Sequence, residues 1–225
     1  TTPPMAARAT TRGRPGGSTS RPRSGDAGPA LLALTGGIGA GKSTALAALE
    51  RRGAATLSSD EVVAAAYADP SLVRAVRDRF GPRALTGGGE VDRGALGPIA
   101  FSEPGGIEFL EALIHPRVAE QRLEWVARQR QHEPSPPLLV CEVPLLFEVG
   151  ADRDFDAVLV VTAPEALRRE RVSARGQDFE ARSARQIPED EKVARADEVF
   201  VNDGAEAELE AWVGAVFSKY AAGGT

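Results

Sequence analysis

The chain has 225 residues, 42% hydrophobic and 26% charged, a balance typical of one globular α/β domain with a modest appendage. Its apolar runs are too short for the ~20 residues of a membrane span, and its single cysteine, Cys141, excludes an internal disulfide and favours the reducing cytoplasm. The net charge of −5 divides into +4 for residues 1–30 and −9 for the rest, so we expect neither a nucleic-acid nor a membrane partner.

The first 29 residues form a leader that is rich in Thr, Arg, Gly, Ser and Pro and almost free of apolar residues. Such a composition cannot bury a core, and it predicts a disordered leader over 1–29. Met5 is a candidate for the true first residue. An organelle transit peptide is the alternative to a plain tail, although no amphipathic pattern is present.

From residue 30 to 225, short apolar runs alternate with helical stretches, and this pattern predicts one α/β domain. We expect about five parallel strands covered by helices, because each run is continuously apolar and bounded by polar or turn residues. The stretch of about 69–137 contains no convincing strand and predicts a helical insertion. The predicted strands are 31–34, 54–57, 138–142, 157–162 and 198–201, and the predicted helices are 43–52, 60–67, 72–80, 116–131, 164–175 and 206–220.

A phosphate-binding motif follows the first predicted strand and opens the first predicted helix. Residues 36–43 read GGIGAGKS, which fits the pattern G-x-x-x-x-G-K-[ST] in full. Glycines let successive backbone N–H groups face one anion, and the helix N-terminus adds its dipole. Lys42 should reach the β- and γ-phosphates of a nucleoside triphosphate, and the Ser43 hydroxyl should coordinate Mg²⁺. The residues expected to bind the triphosphate are Gly37, Gly39, Ala40, Gly41, Lys42, Ser43 and Thr44.

The loop alone does not specify a reaction. The guanine-reading pattern Asn-Lys-x-Asp of GTPases is absent, and motor or transporter ATPases are usually larger. A small P-loop protein with a helical insertion after its second strand indicates a metabolite or nucleotide kinase.

An acid, Asp60, follows the second predicted strand and opens a helix. Ligands in open α/β sheets lie at the carboxyl ends of the strands, so Asp60 could accept the proton of an attacking hydroxyl. Its spacing fits a helix N-cap equally well. Glu142, at the end of the third strand, is likewise either a Mg²⁺ ligand acting through water or a plain strand-end carboxylate.

Together these residues resemble the dephospho-coenzyme A kinases. The resemblance covers residues 31 to about 204 and rests on motifs in the same order as in that family. The matching residues are Leu34 to Thr44, Asp60, His115-Pro116 with Val118, the block Pro144-Leu145-Leu146-Phe147-Glu148, Arg171, Arg175, Gln186, Glu191-Lys192, Ala196-Asp197, Asn202 and Gly204.

The resemblance implies a reaction, in which ATP donates its γ-phosphoryl group to the ribose 3′-hydroxyl of dephospho-coenzyme A. It implies that Asp60 is the base, and that Arg171 and Arg175, four residues apart on one helical face, close a lid of about 164–190 over the phosphates. Asn202 would lie near the adenine. The insertion would bind the acceptor, with contributions from three residues: His115, Leu145 and Glu148. From spacing alone, His115 is a helix-start residue, because Pro116 suits the first helical position.

Two departures from the family pattern bear on activity. Ser58 stands where the family has the first acid of Asp-Ala-Asp, and the stretch 176–186 is several residues shorter than the usual lid. These departures keep two alternatives open. One is a kinase for another small hydroxyl acceptor, and the other is a weakened nucleotide-binding regulatory module.

Overall fold

The computed structural model describes residues 10–11 and 28–221. Most of the leader predicted to be disordered therefore lies outside the described residues. The described residues form two compact units: the first comprises those up to Ser58 together with those from Arg128 onward, and the second is Ser59–Ala127.

The first unit is built on a sheet of six strands in the order β1-β6-β5-β2-β4-β3. The five longer strands pair in parallel, as the apolar runs predict, and the two-residue β1 pairs antiparallel with β6 at one edge. Every one of the five predicted strands is confirmed to within one or two residues. The strands are β1 (Thr10–Thr11), β2 (Ala30–Thr35), β3 (Ala55–Leu57), β4 (Leu138–Glu142), β5 (Ala157–Thr162) and β6 (Glu198–Val201).

Nine α-helices lie within the described residues, together with two short 3₁₀ turns at Pro82–Ala84 and Ala151–Asp154. All six predicted helices are present, although several boundaries differ. The helices are α1 (Lys42–Arg51), α2 (Ser59–Tyr67), α3 (Pro70–Phe80), α4 (Arg93–Ser102), α5 (Gly106–Arg130), α6 (Glu165–Ser173), α7 (Phe179–Ser183), α8 (Glu189–Arg195) and α9 (Glu206–Ala221).

The core of the first unit lies between the sheet and the pair α1 and α9. Leu32 and Leu34 of β2 are completely buried, and they belong to one cluster with Leu49 of α1 and Trp212 of α9. Trp212 stacks on Phe200 of β6 with ring centroids 5.4 Å apart. From β2 the chain continues to β3 and β4 on one side and then to β5 and β6 on the other, so the strand order reverses at β2. Its carboxyl end therefore lies at the switch point where ligands bind in such sheets.

The second unit is helical and has its own core, formed by buried residues of α2 to α5, among them Leu72, Val76, Phe80 and Leu96. Between its helices, only an isolated bridge between Leu85 and Val91 has β geometry. The unit overlaps the predicted insertion of about 69–137 and begins earlier, at Ser59.

The prediction that a helix begins at His115-Pro116 is wrong. Helix α5 begins at Gly106, and Pro116 lies inside it. A proline inside a helix costs about 3 kcal/mol because it removes one backbone hydrogen bond. Here the apolar residues before it, including the buried Leu110, pack into the core of the second unit and hold the helix together across the proline. The Arg117 guanidinium also donates to the Leu113 carbonyl at 2.8 Å.

None of the helices in the described part of the chain is both long and apolar enough to span a lipid bilayer.

Candidate active site

The phosphate loop, residues 36–43, connects the buried strand β2 to helix α1. A turn hydrogen bond from the Ala40 N–H to the Gly37 carbonyl (3.2 Å) shapes it, and Gly41 precedes α1 in the left-handed conformation. No side chain caps this helix. The first N–H groups of a helix have no intrahelical acceptor, so they form an anion site together with the helix dipole.

Two glycines of the loop are required by packing. A Cβ on Gly36, which has φ +141°, would lie 1.9 Å from the Val161 carbonyl oxygen of β5. A Cβ on Gly41, which has φ +104°, would lie 2.2 Å from the side-chain nitrogen of Asn202. That nitrogen donates to the Ala40 carbonyl at 2.8 Å, so Asn202 holds the loop directly.

The Lys42 side chain folds over the loop. Its ammonium group donates to the carbonyls of Gly36 (3.0 Å) and Gly37 (3.1 Å). The cation is therefore held at the loop, where the phosphates of a triphosphate would lie. Ser43 is in the first turn of the same helix, and Glu142 at the end of β4 pairs in register with Leu34, just before the loop begins.

A cavity of about 380 Å³ opens beside the loop, entirely within the first unit. Arg171 donates to the Gly39 carbonyl at 3.3 Å. Helix α6 ends at Ser173, so Arg175 lies beyond it rather than on its last turn, yet both arginines reach the cavity. The cavity is lined by Gly39, Gly41, Thr44, Arg171, Arg175, Asn202, Gly204, Glu206 and Leu209.

A largely buried ionic cluster of Arg168, Glu189 and Lys192 supports the loop from another side. The sequence motifs include only Lys192 of these three residues and give it no role. Arg168, only 6% exposed, donates to the Ala163 carbonyl. Glu189 binds the Lys192 ammonium at 2.9 Å and accepts a hydrogen bond from the Thr162 hydroxyl at 2.7 Å. A Cβ on Gly37 would lie 2.7 Å from both Arg168 and Glu189, so the cluster touches the loop.

The electrostatics of this cluster favour an ionised Glu189. Burial by itself would raise the pKa of the carboxyl group. The hydrogen bond and charge of Lys192, the Thr162 hydrogen bond and the charge of Arg168 together outweigh burial, and the pKa lies below its ordinary value. One signal in the sequence could have found the cluster: Lys192 is one of only three lysines in a chain with twenty-four arginines.

The segment 144–148 follows β4, and one of the two carboxylate oxygens of its Glu148 forms a hydrogen bond. Glu148 accepts a hydrogen bond from the Ile187 N–H at 2.8 Å through one carboxylate oxygen. Its other oxygen is buried and has no hydrogen-bond partner within residues 28–221. Leu145, in the same segment, is partly exposed.

Two candidate residues belong to the second unit. Asp60 is exposed in the first turn of α2, inside the helix rather than before it, so it is not the N-cap. A carboxylate in the first turn still interacts favourably with the helix dipole. His115 is exposed in the middle of α5.

A phosphate loop at the switch point of a parallel sheet, with two arginines reaching the cavity beside it, places this protein among the P-loop kinases. Its residues 30–208 match the family model described as dephospho-CoA kinase. The chain therefore belongs to the dephospho-CoA kinase family, as the resemblance predicts, and it is a phosphotransferase.

Individual relatives agree with this assignment. The dephospho-CoA kinase of Anaeromyxobacter dehalogenans is 42% identical over 181 residues, covering 78% of this chain and 84% of that protein. The crystal structure of TT1252 from Thermus thermophilus superposes with a TM-score of 0.71 at 36% identity, covering 86% of this chain and 98% of that one. The dephospho-CoA kinase structure from Campylobacter jejuni has a TM-score of 0.61 at 24% identity over 85% of this chain and 97% of its own, a likeness in fold.

Proposed function

We propose that this protein transfers the γ-phosphoryl group of ATP to the ribose 3′-hydroxyl of dephospho-coenzyme A, which yields coenzyme A and ADP. The proposal rests on the cavity beside the phosphate loop, which is lined both by residues of the loop and by Arg171 and Arg175. Family membership supplies the acceptor. In the reaction, the bond between the γ-phosphorus and the β-phosphate oxygen breaks as the bond to the 3′-oxygen forms.

The first unit supplies the groups that stabilise charge. Lys42 lies at the loop and would bind the β- and γ-phosphate oxygens in place of the loop carbonyls. Arg171 and Arg175 would bind the transferring phosphoryl group from the cavity side, where guanidinium groups can form paired hydrogen bonds to its oxygens. Asn202 would act on ATP through the loop that it holds and through the cavity that it lines.

Mg²⁺ fits the oxygen donors available here. Ser43 offers a hydroxyl at the start of α1, and Glu142 offers a carboxylate at the end of the neighbouring strand. A hard cation that keeps several waters needs few protein ligands beyond the phosphates. When bound, the ion would neutralise charge on the phosphate oxygens.

We assign four residues to the binding of the acceptor. Asp60 would accept the proton of the 3′-hydroxyl, and its side chain is exposed. The buried carboxylate oxygen of Glu148 that has no hydrogen-bond partner among the residues that the structure describes supports a role in binding the acceptor substrate. A hydrogen bond donated to it by the substrate would remove the free-energy cost of leaving that oxygen buried and unpaired. Leu145 would add apolar contact in the same segment, and His115 a contact from α5.

We place the enzyme in the cytoplasm, where its substrates occur and where a thiol stays reduced. Cys141, the only cysteine in the sequence, is buried in β4 and forms no disulfide.

An assay of ADP release with and without dephospho-coenzyme A tests the proposal. We expect ADP release to require both the acceptor and Mg²⁺, and a panel of nucleosides and sugars to replace the acceptor poorly. Tight ATP binding without acceptor-dependent ADP release would instead favour a regulatory module. A Lys42→Ala variant with normal turnover would contradict the assignment of the phosphate loop.

A further inference from the structure

The side-chain amide of Gln186 lies between two parts of the site. Its oxygen accepts a hydrogen bond from the Ile38 N–H of the phosphate loop at 3.2 Å. Its nitrogen donates to the Pro144 carbonyl at 3.1 Å. An amide oxygen only accepts and an amide NH₂ only donates, so a single orientation of the side chain satisfies both contacts.

The two contacts belong to elements that are far apart in the chain. Ile38 is 148 residues from Gln186 in sequence, and Pro144 is 42 residues from it. Pro144 begins the segment 144–148, which carries Leu145 and Glu148. One side chain therefore connects the loop that holds the triphosphate to the segment to which the acceptor is assigned.

Neighbouring contacts fix the position of Gln186. The next residue, Ile187, donates its N–H to Glu148, so the segment 144–148 is held at both of its ends. Three residues further on, Glu189 binds the Thr162 hydroxyl and the buried Lys192. The backbone that carries Gln186 is thus anchored to the end of β5, and the amide cannot move without breaking part-buried hydrogen bonds.

We propose that Gln186 is a positioning residue that couples the phosphate loop to the segment 144–148. The proposal rests on the acceptor role given to that segment under the proposed function. A shift of the segment is transmitted through the amide to the Ile38 N–H and changes the position of the loop. Phosphoryl transfer depends on the placement of two substrates. One amide that is hydrogen-bonded both to the phosphate loop and to the segment 144–148 therefore controls the rate without touching either substrate.

The test uses the full-length enzyme with Gln186→Met, which keeps the length of the side chain and removes both hydrogen bonds. Gln131→Met, at an exposed glutamine outside the site, is the matched control. We expect Gln186→Met to weaken ATP binding, measured without acceptor, by about tenfold, the effect of losing a well-placed hydrogen bond at the loop. We expect kcat with dephospho-coenzyme A to fall by roughly 10- to 100-fold. The control should change neither quantity.

A double-mutant cycle with Leu145→Ala separates coupling from simple destabilisation. If Gln186 acts through the segment, the losses in kcat/KM for the acceptor in the two single variants will not multiply in the double variant. Multiplicative losses within about twofold, or an unchanged ATP affinity in Gln186→Met, would overturn the proposal. If Gln186→Met is unfolded at the assay temperature, Gln186→Glu replaces it, because it keeps the acceptor for Ile38 and loses the donor to Pro144.

This test and that of the proposed function fail in different ways. A wild-type enzyme that releases no ADP in response to dephospho-coenzyme A contradicts the proposed function. The ATP affinity of Gln186→Met, which needs no acceptor, then still decides whether Gln186 holds the phosphate loop.

Discussion

The completely buried ammonium of Lys192 lies 2.9 Å from the carboxylate of Glu189, one turn earlier in α8. The same carboxylate lies so close to Gly37 that a Cβ there would be 2.7 Å from it. With Arg168, which is equally close to Gly37, the cluster carries two positive charges and one negative charge. The phosphate loop therefore rests on a buried group with a net positive charge, which suits a site for anions.

Removing the ammonium should destabilise the fold. Lys192→Met removes the nearest cation of Glu189, and we expect the free energy of unfolding to fall by about 2 kcal/mol in urea titrations. Glu189→Gln combined with Lys192→Met should recover only part of the loss, because the buried Arg168 then has no carboxylate beside it. Arg77→Met is the control: its exposed guanidinium pairs with the exposed Asp78, and its loss should cost less than about 1 kcal/mol. Equal effects of Lys192→Met and Arg77→Met would contradict the special role of the buried ammonium.

The lowered pKa of Glu189 predicts how stability depends on pH. Because the carboxyl is more acidic in the folded state than its ordinary value of 4.5, its contribution is fully present above that value. The contribution is lost as the pH falls through the lower, folded-state pKa. We therefore expect the difference in unfolding free energy between the wild type and Glu189→Gln to be widest at neutral pH. The difference should narrow as the pH is lowered below 4.5 in urea titrations. A difference that does not change with pH would show that the carboxylate is not stabilised by its neighbours.

Asn202 should matter for ATP binding through the phosphate loop. Asn202→Ala leaves the Ala40 carbonyl without its side-chain donor, and we expect the KM for ATP to rise by roughly tenfold. The KM for the acceptor should change much less, which initial-rate measurements with each substrate varied in turn can establish. Adding Gly41→Ala should not restore binding even though Asn202→Ala removes the collision, because φ at residue 41 is +104°. An unchanged KM for ATP would assign Asn202 a purely structural role.

The arginines of the cavity should act on turnover. Arg171→Ala is expected to lower kcat by about 100-fold, the usual cost of removing one donor that stabilises the transition state. Arg171→Lys should recover little of this, because an ammonium cannot reproduce the paired hydrogen bonds of a guanidinium. Arg182→Ala, at an exposed arginine of α7 that does not line the cavity, is the control. If Arg182→Ala and Arg171→Ala lost activity equally, general charge rather than placement would be responsible.

Asp60→Asn tests the proposed base. The variant keeps the shape of the side chain and removes its ability to take a proton, so we expect kcat to fall by about 10²- to 10⁴-fold. Thermal unfolding should change little, because Asp60 is exposed in the first turn of α2 rather than at its N-cap position. A variant with lowered stability and normal kcat would make Asp60 a structural residue only.

Residues close together in the chain could be placed from the sequence. The motif of residues 36–43 and the apolar runs around it predicted the loop, its strand and its helix, because these depend on local backbone geometry and on burial. The resemblance added Arg171, Arg175 and Asn202 as candidates and favoured Asp60, already a candidate from its position, as the base. Where local residue preferences disagreed with tertiary packing, the prediction from the sequence was wrong. Pro116 indicated a helix start, but the apolar residues before it pack into the core and continue α5 through the proline.

The sequence by itself determined the parallel α/β class, the phosphate loop and, through its motifs, the dephospho-CoA kinase family. Only the tertiary structure decided what holds the loop: the Asn202 amide, the Arg168–Glu189–Lys192 cluster, and Gln186 between Ile38 and Pro144. The reason is physical. A motif records which residues must meet the substrate. Hydrogen bonds such as those of Asn202 to Ala40 and of Ile38 to Gln186, 162 and 148 positions apart, depend instead on how the strands are ordered in the sheet, and no local pattern carries that order.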